Sequence, residues 1–462
     1  MNPRLATRAI TLCLAALCLI GLWRVIVGLT LQVPLDPNEG WNAYHTAALM
    51  SGRALYPPPD AYLVNNYPPL SFYLVGAVGW LVGDNIFAGR IVSLAALAFI
   101  AIAMTAITRR MGASREASVF PALSFVAGLL LFTDYAGMDD PQMLAHGFAM
   151  GGLWVLFAAP RTPRLLATSA GLFVLSFFVK HNIVALPAVC GLWLFLYDRK
   201  AAWKFSGFGL AFVAAGFILF RLAYGVSLLV VVSTARLYST EMLQQGLTAW
   251  LHWSAVPLLG LGVLLYRSGR DPHVQFCAAY AVVATGLGVF FLGGAGVDVN
   301  AMFEADIALA LAAGLLIGTL PAYKSSAAAA VFTAPFLFFA ATNGEWQDAY
   351  LRLHPFREEA AFAKSDIAFL KAHKGPALCE MLSFCYWAGK PPAVDFFNVG
   401  QQFDTGTRSD AALTAEIDAK RFAVIQFDPD SPESLGENPH DAMERAYRVH
   451  HDDWYGTFYV PK

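Results

Sequence analysis

Long apolar stretches alternate with short polar breaks as far as residue 342, and then the pattern changes. Twelve apolar segments stand out, near 9–30, 68–83, 88–108, 117–133, 141–159, 165–179, 182–197, 204–222, 251–267, 274–293, 305–320 and 325–342. A membrane span takes roughly 17–25 such residues. The segment 68–83 is short, opens on Pro68-Pro69 and carries Gly76, Gly79 and Gly83. Proline is tolerated in a first helical turn, so this segment reads as a re-entrant or interfacial helix. Past residue 357 the runs shorten. Phe362–His373 reads as a helix, Ala377–Glu380 as a strand, Ala411–Ala419 as a helix, and Phe422–Phe427 and Trp454–Val460 as strands. The expected fold is an all-α polytopic membrane domain over 1–343, with about 11 transmembrane helices plus interfacial helices. A small extracytoplasmic α/β domain over 344–462 follows it.

Composition agrees. The chain is 57% hydrophobic and 14% charged, with a mean hydropathy of +0.52; soluble domains average about 25% charged. Disorder is excluded and an ordinary cytosolic enzyme disfavoured. A net charge of −2 offers no basic surface for nucleic acid. Residues 344–462 hold 12 Lys/Arg and 19 Asp/Glu, a soluble density. Cys13, Cys18, Cys190 and Cys277 fall in spans as apolar filler. Cys379 and Cys385 fall in the polar domain, where spacing alone leaves a disulfide open.

Charge also orients the spans, since Lys and Arg favour short cytoplasmic loops. With the N-terminus cytoplasmic and 68–83 not crossing, eleven spans place Arg4, Arg8, Arg109, Arg110, Arg115, Arg161, Arg164, Arg199, Lys200, Lys204, Arg267, Arg270 and Lys324 inside. Those are 13 of the 19 basic residues before 344. Twelve spans with the N-terminus outside is the competing reading. The first 30 residues read as a retained span, because no small-x-small cleavage site is evident.

The eleven-span reading gathers polar chemistry on the outer face. The first loop carries Asp36, Asn38 and Glu39, followed by a helix of about 39–51 that Asn38 could cap and Gly52 could close. On that helix Trp41 and His45 share a face. A carboxylate beside a span can serve as a general base or complement a helix dipole. Asp139, Gln142 and His146 make a polar stripe entering a span, with Asp140 beside them; intramembrane polar groups suggest function. Lys180, in Lys180-His181-Asn182, is either a snorkelling lysine or a contact for an anionic phosphate. Gly293–Asn300, followed by Glu304, could cradle a phosphate with backbone N–H groups. Asp60, Asp84 and Glu241 read as solvated loop acids.

Several of these stretches resemble one family. Asp36-Pro-Asn-Glu39-Gly40-Trp41 follows a first span, and the next helix ends Gly-x-x-Leu-Tyr-Pro. Asn66-Tyr67-Pro68-Pro69-Leu70 and Arg90 come next, and Asp139-Asp140 precedes a later span. Over residues 1–200 the chain is similar to the GT-C glycosyltransferases, especially the dolichyl-phosphate-mannose protein mannosyltransferases and the lipid A aminoarabinose transferases. The resemblance implies transfer of a sugar from a polyprenyl-phosphate donor to an acceptor hydroxyl on a glycan, glycolipid or protein. The site would face outward in a multi-pass plasma (inner) membrane protein. It implies Asp36 or Glu39 as catalytic base, Asp139 or Asp140 in support, and Lys180 at the donor phosphate. His181, His45, Tyr67, Arg90, His146, Asn300 and Glu304 are the further substrate-binding candidates. No cofactor is required; a divalent cation between the acid loops stays open, and no His/Cys spacing supports zinc. A lipid or solute transporter and a non-catalytic assembly protein are the alternatives. Replacing Asp36 or Asp139 would separate an enzyme from an assembly protein.

Overall fold

The computed structural model describes residues 3–234, 236–428 and 435–462; the side chain of Arg4 lies outside the described residues. Fourteen helices lead to the C-terminal domain: α1 (Pro3–Gly28), α2 (Pro37–Met50), α3 (Leu70–Val82), α4 (Asn85–Arg110), α5 (Arg115–Phe132), α6 (Pro141–Leu156), α7 (Pro163–Val179), α8 (Ala185–Tyr197), α9 (Arg199–Tyr224), α10 (Leu228–Val232), α11 (Thr240–Ser268), α12 (Pro272–Leu292), α13 (Phe303–Thr319) and α14 (Ala322–Thr342). Their starts are written locally. Asp36-Pro37, Asp140-Pro141, Thr162-Pro163 and Asp271-Pro272 each set a capping oxygen before a proline at the first helical position. Proline's missing N–H costs nothing there. Asp36, and not Asn38, caps α2, because its carboxylate accepts the Asn38 N–H. Gly52, at φ 73°, does close that helix. Asp84 is no solvated acid: it caps α4.

Eleven of these helices run from end to end of the bundle. At one end, the Arg8–Glu116 ion pair joins the starts of α1 and α5, and Arg161 pairs with Asp198. Phe157 stacks on Trp193, whose indole N–H donates to Pro272 O at the start of α12. At the other end, Arg90 of α4 bonds the last carbonyl of α1, and Glu304 of α13 bonds the first N–H groups of α8. Ser239 before α11 bonds Gly293 after α12. Helix α3 is the exception. Tyr67 before it lies over Lys180, and Asp84 after it accepts from Trp387 of the C-terminal domain. Both its ends stay on one face, and its 13 residues span about 20 Å. Helix α1 begins at the end opposite the C-terminal domain. Eight helices are long and apolar enough to cross a membrane by length and composition. Helices α6, α7 and α8 are shorter, at 16, 17 and 13 residues. The apolar core of the bundle is centred on α13, which is buried almost throughout and apolar on every side.

Short helices α15 (Gly344–Gln347) and α16 (Ala349–Leu353) lead into the C-terminal domain. It runs α17 (Arg357–Ala372), β1 (Ala377–Cys379), α18 (Leu382–Trp387), α19 (Phe396–Asp404), α20 (Ala411–Asp418), β2 (Val424–Phe427), α21 (Glu437–Ala446), β3 (Tyr447–Asp453) and β4 (Gly456–Pro461). The sheet order is β1-β2-β4-β3, with β1 and β2 parallel and the other pairs antiparallel. Sequence patterning finds α17, α20, β1, β2 and β4 but misses the short helices α18, α19 and α21 and the strand β3. That strand is an edge, Tyr-Arg-Val-His-His-Asp-Asp, with little buried apolar surface to betray it. Cys379 and Cys385 are joined in a disulfide.

The domain caps one end of the bundle by gripping α2. Gly40 makes the approach: a Cβ there would lie 2.1 Å from Ser383 N. Tyr44 Oη donates to Lys390 O at 2.8 Å, and the Trp41 indole N–H reaches both Val64 O and Asp395 Oδ2 at 3.0 Å. One apolar cluster accordingly runs from Trp41, Tyr44 and Phe72 into Phe384, Trp387 and Phe458.

Candidate active site

At the capped end, the loop after α1, the start of α2 and the loop before α6 meet around one buried ion pair. Glu39 and Arg90 are both 0% exposed. Arg90 Nε and Nη2 clasp the two Glu39 oxygens at 2.7 and 2.6 Å. Its remaining N–H groups hold the carbonyls of Gly28, Leu31 and Val33 at 2.6–2.8 Å. A guanidinium has five N–H donors, and all five are committed. Glu39 also accepts from Leu35 N at 2.9 Å and Asp139 N at 3.1 Å. Neither residue has capacity left for a substrate. Together they fix the path of residues 28–39 and hang the second acid loop on it.

What that loop presents is Asp36. It is half-buried, and its Oδ1 accepts from Asn38 N at 2.8 Å. Burial pushes its carboxyl up to about 7, the Asn38 N–H opposes this, and Asp140 and Glu39 add to it.

Asp139 packs against α4 where Gly89 leaves room: a Cβ there would lie 1.7 Å from Asp139 Oδ1. Its Oδ2 receives no hydrogen bond. Burial first, then Glu39 and Asp140, raises its pKa well above the usual carboxylate range. Asp140 caps α6 and pairs with Lys180, Oδ1 to Nζ at 3.1 Å. The Lys180 ammonium also lies 5.2 Å from the centre of the Tyr67 ring. His181 adjoins this group; burial, then Lys180 and Arg236, lowers its pKa to about 4, so it is neutral.

Deeper along α6, Gln142 Nε2 bonds His146 Nε2 at 2.7 Å and the carbonyl of Asn300 at 3.3 Å. These residues line a small pocket with Asn182 and Glu304. Gln142 Oε1 and Asn182 Oδ1 have no partner there. The Glu304 carboxylate is spent on the N–H groups of Ala185 and Leu186 at 3.2 and 2.8 Å, which fixes the start of α8. A second cleft, mainly apolar, opens between α5, α11, α13 and α14.

The structure thus brings Asp36, Asp139, Asp140, Lys180, Tyr67 and His181 together at the capped end. Arg90, Glu39 and Glu304 are framework. His45 is buried between Trp41 and Phe72, with burial lowering its pKa to about 4. The glycine-rich turn is not an open cradle. Gly294, Ala295, Val297 and Val299 spend their N–H groups on Phe291 O, Leu237 O, Gly294 O and Asp298 Oδ1. Sequence reasoning missed Arg236, whose Nη1 donates to Ala295 O at 3.1 Å and whose guanidinium covers the Phe397 ring. It is among the few basic residues that charge sorting leaves outside, which was the available signal. Asp395, which receives the Trp41 indole N–H, carried no sequence signal.

No protein-family profile matches the sequence, and no curated protein matches it. Solved structures do match its fold. ArnT from Cupriavidus metallidurans, bound to undecaprenyl phosphate, aligns over 97% of this chain and 97% of its own, with TM-score 0.64 and 14% identity. The apo form of that protein gives 0.63 and 12% over 98% of each chain. The Archaeoglobus fulgidus oligosaccharyltransferase, in complex with an inhibitory peptide and a dolichol-phosphate, matches 99% of this chain and 74% of its own, with TM-score 0.51 and 12% identity. From the end-to-end helices, the α2 and α3 segments lying at one face and the capping domain, the conclusion is that this chain shares the fold of these solved membrane proteins.

Proposed function

We propose that the chain is a membrane glycosyltransferase that moves a sugar from a polyprenyl-phosphate donor to an acceptor hydroxyl, with Asp36 as the base. The observation that carries this is the division of labour among the acids. Glu39 is paired with Arg90 and Asp140 with Lys180, while burial holds the Asp139 carboxyl well above the usual carboxylate range; of the four, Asp36 is the half-open one, with a pKa of about 7. A base works best when its pKa lies near the operating pH. In the reaction, Asp36 takes the acceptor's hydroxyl proton as the acceptor oxygen bonds to C1 of the sugar. The C1–O bond to the phosphate breaks, and the polyprenyl phosphate leaves with the electron pair. Lys180, already held at the site by Asp140 and Tyr67, meets the phosphate charge.

The fold's neighbours support the donor class, since ArnT was solved with undecaprenyl phosphate and the oligosaccharyltransferase with dolichol-phosphate. The basic loops at the uncapped end support a cytoplasmic N-terminus and an extracytoplasmic capping domain. A divalent ion does not suit the acid loops, because Arg90 and Lys180 already occupy Glu39 and Asp140. No step is routed through a metal.

The test is transfer by purified protein in nanodiscs, with radiolabelled polyprenyl-phosphate sugars and a membrane extract as acceptor. Label moves into a new product with the parent and not with Asp36→Asn. Donor that binds but is never transferred by either protein would turn the reading to a lipid carrier.

A further inference from the structure

Outside the site just described, one cluster of side chains among the described residues has metal-ligand chemistry. Asp366 of α17 is fully buried, and its Oδ1 faces His451 Nε2 of β3 at 3.1 Å. His451 Nε2 lies 3.8 Å from Asp453 Oδ2. One ligand atom from each of the three falls within 4.8 Å of the others. For bonds of about 2.0–2.1 Å to a tetrahedral ion, ligand atoms sit roughly 3.3–3.4 Å apart, so the two measured separations bracket the required edge.

A second observation points to a missing positive charge. Asp366 Oδ2 receives no hydrogen bond although it is buried. Among the described residues, neither Asp366 nor Asp453 forms an ion pair with a lysine or arginine. A buried carboxylate beside a half-buried one, with only an imidazole between them, needs a proton or a cation. Burial and the Asp453 carboxylate raise Asp366 to about 8, so a shared proton is the rival arrangement. The remaining groups around the cluster favour a metal. His451 Nδ1 is 2.8 Å from His450 Nδ1, the kind of support that a ligating imidazole uses to fix its other nitrogen. The His451 ring stacks on Phe458 at 4.5 Å and edges Phe369 at 5.1 Å, which shields the cluster.

We propose that Asp366, His451 and Asp453 form a binding site for one divalent transition-metal ion, of which Zn²⁺ best suits the donor set and spacing. The ion ties the first helix of the C-terminal domain to its edge strand, the strand that has least apolar surface to hold it. Sequence spacing could not show this, because Asp366 lies 85 residues from His451. The inference is independent of the transferase reading.

The experiment uses full-length, tag-free protein in detergent, stripped with chelator and dialysed. Zn²⁺ alone is then titrated against a competing indicator, with metal content by mass spectrometry and thermal unfolding followed in parallel. The expected result is one Zn²⁺ per chain and a rise in Tm. Asp453→Asn and His451→Gln should each weaken binding at least about tenfold and abolish the Tm rise. Both positions are on the partly exposed strand, and Asp453→Asn leaves the Asp366–His451 contact in place, so it separates loss of the ion from loss of that contact. No retained Zn²⁺ with no Tm shift would overturn the site. Binding equal in parent and both variants would overturn it too.

Discussion

Replacing Arg90 with methionine separates a framework arginine from a substrate-binding one. The variant keeps much of the volume and apolar stem of the side chain but removes five hydrogen bonds: two to Glu39 and three to loop carbonyls. Glu39 would be left charged and 0% exposed. Breaking a buried pair from one side costs ~3–5 kcal/mol. An unfolding entropy of about 2.1 cal/mol/K per residue, over 462 residues, amounts to about 1 kcal/mol/K. The expected drop in Tm is therefore roughly 3–5 °C, measured by thermal unfolding in detergent. Adding Glu39→Gln removes the stranded charge, so the double variant should regain part of that loss, giving a coupling of ~0.5–3 kcal/mol. It should not regain all of it, since Gly28, Leu31 and Val33 still lack their donor. An Arg90→Met protein with unchanged Tm and only a raised KM for the donor would refute this reasoning and return Arg90 to the phosphate.

Other outcomes follow from the same geometry. Asp36 must be ionised to accept a proton, so with a pKa of about 7 kcat/KM should rise about tenfold from pH 6 to pH 8; a flat profile would remove Asp36 as base. Gly89→Ala should displace Asp139 and cut activity sharply, because its Cβ would overlap Asp139 Oδ1, whereas Gly147→Ala, with its nearest neighbour at 3.5 Å, should be mild in the same transfer assay. Lys180→Met should raise the KM for the donor and leave Asp140 without its cation, while Lys180→Arg retains part of the activity; equal KM values across all three proteins would count against a phosphate role. A topology reporter inserted near Asp60 should read as extracytoplasmic, and a cytoplasmic reading would reverse the orientation.

Much of this was legible in the chain because it depends on local chemistry. The helix after the first span and its closing Gly52 are read from sequence, although Asp36-Pro37 and not Asn38 starts it, because a side-chain oxygen and a missing N–H act within one turn. The pairing of Glu39 with Arg90 was not legible. Both read as substrate-facing in sequence, and they become framework only because α4 carries Arg90 under the loop that leaves α1. Lys180 shows the reverse case. A lysine in a very short loop could have been a snorkelling charge, and only its contact with Asp140 makes it part of the site.

Taken alone, the sequence determined the long apolar helices of the bundle, the polar character of the C-terminal domain and which stretches carry the candidate acids. These are set by hydrophobic runs, caps and charge asymmetry, all properties of neighbouring residues. Tertiary structure decided which of the acids are already neutralised, that Asp36 alone stays half-open with a pKa near 7, and that a polar edge strand completes the sheet. Burial and counter-charge come from residues tens to hundreds of positions away, such as Asp395 on Trp41 and Arg90 on Glu39. No local pattern records which partner the fold will bring.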